Sequence, residues 1–197
     1  MVLALWTTSA LSQKKYDPGA SDTEIRIGNT APYSGPAAAI GNLGRAQVAY
    51  WKSVNASGGI NGRKVTLVSL DDGYSPPKTV EVTRQLVEQE GVLATFGSIG
   101  TATQSAVQRY LNGKKVPQLL IASGAAKWNN PKEFPWSMSF YPQNDVEASV
   151  YAKYILQAKP DAKIAVLYQN DDFGKDFVRG LRRGLGERAG KMIVKEA

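Results

Sequence analysis

The chain has 197 residues, with 24 Lys and Arg against 17 Asp and Glu and a net charge of +7. It contains no Cys and no His, which excludes disulfides, thiolate sites and imidazole acid–base chemistry within it, and so serine–histidine and cysteine–histidine catalysis. The basic residues are scattered apart from pairs such as Lys14-Lys15, Lys114-Lys115 and Arg182-Arg183, so a solvated surface is expected and no nucleic-acid partner.

Residues 1–12, MVLALWTTSALS, open apolar and close on the small-x-small triplet Ala10-Leu11-Ser12. That pattern is expected to be a signal-peptide remnant and to mean export, although no Lys or Arg precedes the apolar stretch. The alternative is a non-secretory N-terminus. Residues 13–23 form a polar leader with no packing pattern.

From Glu24 strands and helices alternate. Ile25 to Asn29 is β-rich. Leu43, Ala46, Tyr50 and Val54 recur at helical spacing, and Gly58-Gly59 ends that helix. Val65 to Leu70 is a second strand, closing on Asp71-Asp72-Gly73. Ser75-Pro76-Pro77 suits the first turn of a helix running to about Glu90, with Val82, Leu86 and Val87 inward. Val92 to Phe96 is a buried type of strand, followed by a turn and a helix over about 102–112. Pro117 to Ala122 is the next strand, closing on Ser123-Gly124. Such alternation predicts an α/β lobe, a doubly wound parallel sheet whose ligand-prone edge lies where strands end and helices begin.

After Ala126 the rhythm breaks into a loop rich in Trp, Asn and Pro, and Trp136 to Tyr141 is strand-like. A helix over about 145–159 carries Val150, Tyr151, Tyr154, Ile155 and Ala158 on one face. Ile164 to Tyr168 is expected as another buried strand, and the helix after it carries Phe173, Phe177, Leu181 and Leu185 at i+4 spacing. A strand at Met192 to Val194 follows. A single strand–helix–strand unit has too few strands to bury both sheet faces, so the chain is expected to be the start of a longer protein. One compact domain of this length is the alternative.

Five segments carry a family resemblance: IRIGNTAPYSGP (25–36), INGRKVTLVSLDDGYSP (60–76), FGSIGTATQ (96–104), VPQLLIASGA (116–125) and AKIAVLYQNDDFGKDF (162–177). In that order they resemble the N-terminal half of the periplasmic solute-binding proteins of the leucine/isoleucine/valine-binding type. The resemblance implies the two-lobed periplasmic-binding-protein type I fold, with lobe 1 over 24–141 and a crossover helix plus the start of lobe 2 over 142–197. It implies a non-enzymatic component of an ABC importer in the periplasm, capturing a small carboxylate between the lobes. Inner-membrane ABC permease subunits would be its partners, the full-length protein would be a monomer, and no cofactor or metal is expected. Alternatives are a sensory or regulatory domain of the same fold and a carboxylate-dependent α/β enzyme.

In this family two strand-end loops of the first lobe hold the ligand carboxylate. They correspond to Ile99, Gly100 and Thr101 and to Ser123, Gly124, Ala125 and Ala126. Thr101 begins a helix, whose N–H groups and dipole suit an anion. Turn chemistry alone is the competing role for these Gly and Thr residues. Two positions depart from amino-acid binders. Ala126 stands where they tend to have Thr, and Ile40 where the type member has a pocket Tyr. An apolar or aromatic acid, or a small amide, is expected beside amino acids. Phe173 either stacks on the ligand or packs in its own helical stripe. Trp128 and Tyr74 are expected as exposed-loop aromatics near the cleft. Asp71-Asp72 and Asp171-Asp172 are expected to cap turns. Gly97-x-x-Gly100 lacks the Lys and Ser/Thr of a phosphate loop.

Overall fold

β1 (Glu24–Ala31) runs parallel to β2 (Lys64–Asp71) along its whole length, Glu24 facing Lys64 and Ala31 facing Asp71. On its other side β1 pairs with β3 (Ala94–Phe96), which pairs with β4 (Gln118–Ile121) and then β5 (Ser137–Ser139). The sheet is wholly parallel, in the order β2-β1-β3-β4-β5. This is a computed structural model, and it describes residues 15–197; the expected signal-peptide remnant and the first two leader residues lie outside that range.

Helices α1 (Asn42–Ala56), α2 (Pro76–Arg84) and α3 (Thr101–Lys114) connect these strands. Side chains alternate between sheet faces along a strand, so Gly28 and Thr30 of β1 share one face, Asn29 and Ala31 the other. A side chain on Gly28 would meet Leu86, just beyond α2, while Thr30 Oγ1 accepts from Gln104 Nε2 of α3 at 2.9 Å. On the opposite face Asn29 Nδ2 donates to Gln47 Oε1 of α1 at 2.9 Å, and Gly44 of α1 lies over Ala31. α1 therefore covers one face and α2 with α3 the other, which is a doubly wound arrangement. After Arg84 the helix widens into a π-helical turn (Gln85–Gln89) that buries Leu86 completely.

The helix faces differ from the expectation in two places. On α1, Leu43 and Tyr50 are exposed, and the sheet-facing side is Gly44, Gln47, Val48, Trp51 and Val54. The core holds an amide network there, because Gln47 also donates to the Gly97 carbonyl, so polarity did not mark the outer face. On α4 (Asn144–Ala158), Val150, Tyr151 and Tyr154 are exposed, and the buried side is Asn144, Asp145, Ala148 and Ala152. The reason lies in its partner α5 (Asp172–Leu185). Gly180 sits against the Asp145 carbonyl and Gly184 against Ala152, so the axes approach too closely for anything but small residues between them.

α5 is followed by α6 (Ala189–Met192), and β6 (Ile164–Val166) pairs in parallel with β7 (Ile193–Glu196) in a separate two-stranded sheet. β6 is not the buried strand its apolar sequence suggested. Ala165 is exposed and Leu167, just past it, is 89% exposed. The apolar cluster of this region is Ala152, Leu185, Ala189 and Met192, on the helix-covered side.

Candidate functional site

The C-terminal ends of β1, β2, β3 and β4 deliver four loops to one edge of the sheet, and a cleft of about 400 Å³ opens there. From the first sheet come Tyr74, Ile99, Gly100, Thr101, Ser123 and Gly124, with Ile40 and Leu43 beside α1. Asn144 and Glu147 of α4 and Gln169, Phe173 and Phe177 at the start of α5 form the facing wall. Of the residues picked from sequence, Ile40, Ile99, Gly100, Thr101, Ser123, Gly124 and Phe173 all border this cleft. A hollow of about 470 Å³ lies between Pro160 and Met192, but at the N-terminal end of β6, where parallel strands rarely place a ligand.

Ala126 does not border the cleft. Its N–H donates to Asp176 Oδ2 of α5 at 2.6 Å, which turns this backbone unit toward α5. Ala126, one residue beyond Ala125, thus stands outside the cleft lining and is held to α5 by its backbone. Lys127 adds an ion pair to Asp172 at 3.0 Å, so the loop after β4 is tied to α5 twice. Trp128 is buried, contrary to the exposed loop expected, and its Nε1–H donates to Ser123 Oγ at 2.8 Å.

The glycines of the site have steric causes. Gly100 has φ 105°, and a side chain there would lie 2.6 Å from the Tyr74 ring and 2.5 Å from Thr103 Oγ1. A side chain on Gly124 would strike the Asn144 carboxamide and sit 2.5 Å from the Pro142 carbonyl. These residues let Tyr74 and the first turn of α4 close over the loops. Thr101 Oγ1 lies 2.6 Å from Ser123 Oγ, which joins the two loops below the cleft. Burial raises the Tyr74 phenol above its ordinary value, with hydrogen bonding to Gln169 and to the Thr101 backbone acting the other way. Tyr74 and Gln169 thus meet the cleft from its two walls.

Glu147 was not foreseen. It borders the cleft, its carboxylate accepts from the Tyr151 hydroxyl, and it has no ion pair with a basic side chain among the described residues. Asn144, one turn earlier, is 3% exposed, and its Nδ2 has no hydrogen-bond partner. The signal that could have found the pair is the Asn144-x-x-Glu147 spacing, which puts both on one face of a first helical turn.

The acidic pairs have structural duties. Asp71 accepts from the N–H groups of Tyr33, Ser34 and Gly73, from Ser34 Oγ at 2.5 Å and from Lys78 Nζ at 3.2 Å. Desolvation opposes its ionisation, but hydrogen bonds from Ser34, Gly73 and Lys78 outweigh it and hold the carboxyl well below the ordinary range. Asp72 is fully buried, accepts from Tyr74 N and Thr79 Oγ1, and is pushed up by that burial. Asp171 caps α5 by accepting from Gly174 N at 3.2 Å. None of these carboxyls borders the cleft.

The family described as periplasmic binding protein matches residues 24–197. The chain is 28% identical over 175 residues to the leucine-specific-binding protein of Salmonella typhimurium, covering 85% of this chain and 45% of that one. The structure resembles a substrate-binding periplasmic protein from Ralstonia solanacearum, with a TM-score of 0.76, 28% identity, and 88% of this chain and 48% of that one covered. It also resembles the branched-chain amino acid transporter substrate-binding protein LivJ from Streptococcus pneumoniae, solved in complex with isoleucine. There the TM-score is 0.71 at 26% identity, covering 88% of this chain and 49% of the other. The chain spans about half the length of the curated relatives it matches. The family match over 24–197 and the shared parallel fold lead to one conclusion: the chain belongs to the periplasmic binding protein family and matches the leucine/isoleucine/valine-binding proteins among its members.

Proposed function

We propose that this chain supplies the ligand-capturing cleft of an ABC importer's periplasmic substrate-binding component, and that its ligand is a small amino acid. Lobe 1 covers 24–141 and the crossover helix with the start of lobe 2 covers 142–197. The observation that carries the proposal is the cleft itself. Thr101, Ser123 and Tyr74 from one sheet's loops face Gln169 and Phe173 of the other region across a gap sized for a small molecule.

Glu147 favours an amino acid over a simple acid. A carboxylate with no cation beside it is a partner for a ligand ammonium, and the Thr101 end of the cleft suits the carboxylate. The aromatic rings of Tyr74, Tyr141, Phe173 and Phe177 support a second ligand class, an aromatic acid. Permease subunits would recognise the ligand-bound form, and the full-length protein would act as a periplasmic monomer without a cofactor. The test is a titration of the isotope-labelled chain, followed by NMR, with L-leucine, L-isoleucine, L-phenylalanine and benzoate at millimolar concentration. Weak binding is expected, with shifts at Gly100, Thr101 and Gly124. Unchanged spectra with all four would refute the proposal.

A further inference from the structure

Behind the cleft, Ser123 Oγ is the meeting point of three hydrogen bonds. Trp128 Nε1 lies 2.8 Å from it, Ala125 N 3.3 Å and Thr101 Oγ1 2.6 Å. A hydroxyl has one proton and two acceptor lone pairs. The indole N–H and the backbone N–H can only donate, so they occupy both lone pairs of Ser123. Its proton must then go to Thr101 Oγ1. Thr101 accepts it and keeps its own proton, which has no other acceptor among the described residues, while Thr101 borders the cleft.

We infer that Trp128 is a positioning residue for ligand binding, because its indole N–H, acting through Ser123, fixes the Thr101 hydroxyl as a donor toward an acceptor atom of the ligand. This rests on the proposed role of the cleft and deepens it. Trp128 itself does not border the cleft. Without the indole donor Ser123 has a free lone pair and can accept from Thr101, so the outward proton is lost to an internal bond. The ligand group read here is a carboxylate or carbonyl oxygen. Packing alone, within the buried cluster of Ile121, Ala125 and Trp128, does not require the indole N–H to point at Ser123.

The test combines a ligand-free and a ligand-bound measurement on the whole chain. Its four Trp residues give four indole N–H signals, and Trp128→Phe identifies the one that belongs to Trp128. Thr101→Val removes the acceptor of the Ser123 proton and is expected to move that signal, whereas Thr101→Ser keeps the hydroxyl and leaves it nearly in place. An unmoved signal in Thr101→Val overturns the relay. In titrations with L-leucine and with benzoate, Trp128→Phe and Thr101→Val are each expected to weaken the better probe by about three- to tenfold. The double variant is expected to be no weaker than Thr101→Val alone. Additive losses would assign Trp128 a packing role and overturn the relay while leaving the cleft intact. Failure of wild type to bind these two probes, and L-isoleucine and L-phenylalanine as well, overturns the proposed function and the positioning role together. Should Trp128→Phe not fold, Trp6→Phe, Trp51→Phe and Trp136→Phe assign the remaining indole signal to Trp128 by elimination, and the Thr101→Val and Thr101→Ser pair then decides by that signal.

Discussion

The two regions of the molecule solve the same packing problem differently. In the first, a five-stranded sheet is covered on both faces, and a chain of buried polar groups links its elements. Gln104 reaches Thr30 and is met by Gln118, and Gln118 accepts from Ser137. In the second, two short strands leave Leu167 and Val194 exposed, while order comes from two helices pressed together at glycines. One wall of the cleft therefore rests on a filled core. The other rests on a single helix pair and on the Ala126–Asp176 and Lys127–Asp172 contacts. The lesson is that the loops bearing Thr101 and Ser123 are held more rigidly than the turn bearing Gln169 and Phe173.

Breaking the first core should have the largest effect. Leu111 is fully buried on α3, and Leu111→Ala is expected to destabilise the chain by about 3 kcal/mol in urea unfolding. A loss under about 1 kcal/mol would mean that the site collapses around the deletion and that the filled core is not what holds this wall. Gly180→Ala attacks the other region. The added methyl meets the Asp145 backbone, which cannot rotate away, so a loss of about 2 kcal/mol is expected. Hydrogen exchange should locate it. Amides of α4 and α5 should exchange faster while those near Val107 and Leu111 keep their protection. Uniform acceleration would show that the two regions unfold as one and would erase the contrast.

The same contrast explains what was legible in the sequence. Strand and helix order, the parallel sheet and the strand-end cleft followed from alternation and from Gly-rich turns such as 97–101. The helix faces did not. On α4 the large residues Val150 and Tyr154 looked like the buried side, yet Gly180 and Gly184, far away in sequence, bring α5 against the Asp145 backbone and Ala152. Periodicity reports which residues share a face and is silent on how close the partner backbone comes. In the site, Thr101 and Ser123 were visible because they sit where strands end. Glu147 and Trp128 were not, since each acts through a neighbour that folding supplies.

A smaller effect is expected from pH at Asp71 and Asp72, which share one turn but shift in opposite directions. Asp71 is held below its ordinary 3.8, so its stabilising contribution is present above that value and is lost as pH falls through the acid range. Asp71→Asn should flatten this acid loss. Asp72 is raised by burial, so the contribution of its protonated form is complete below 3.8 and is lost as pH rises through the raised value. Asn can replace the protonated acid there, since its amide can donate to Thr79 Oγ1 while Thr79 donates to the Ser75 carbonyl. Asp72→Asn should therefore be more stable than wild type at neutral pH, with the gap closing in acid. Denaturant midpoints across pH 3 to 8 check both signs, and parallel pH curves for the two variants would contradict them.

Smallest is the ion pair between the regions. Lys127 and Asp172 are 3.0 Å apart, but their side chains are 32% and 51% exposed, so water and salt weaken the attraction. Lys127→Ala is expected to cost less than about 1 kcal/mol and to become undetectable at about 1 M salt. The neighbouring bond from Ala126 N–H to Asp176 should behave differently, because Asp176 is 5% exposed and its removal leaves a backbone donor without a partner. Asp176→Ala should therefore exceed Lys127→Ala and persist in high salt. Were Lys127→Ala the larger of the two, the second wall would be held by surface charge, and the cleft would open and close with ionic strength.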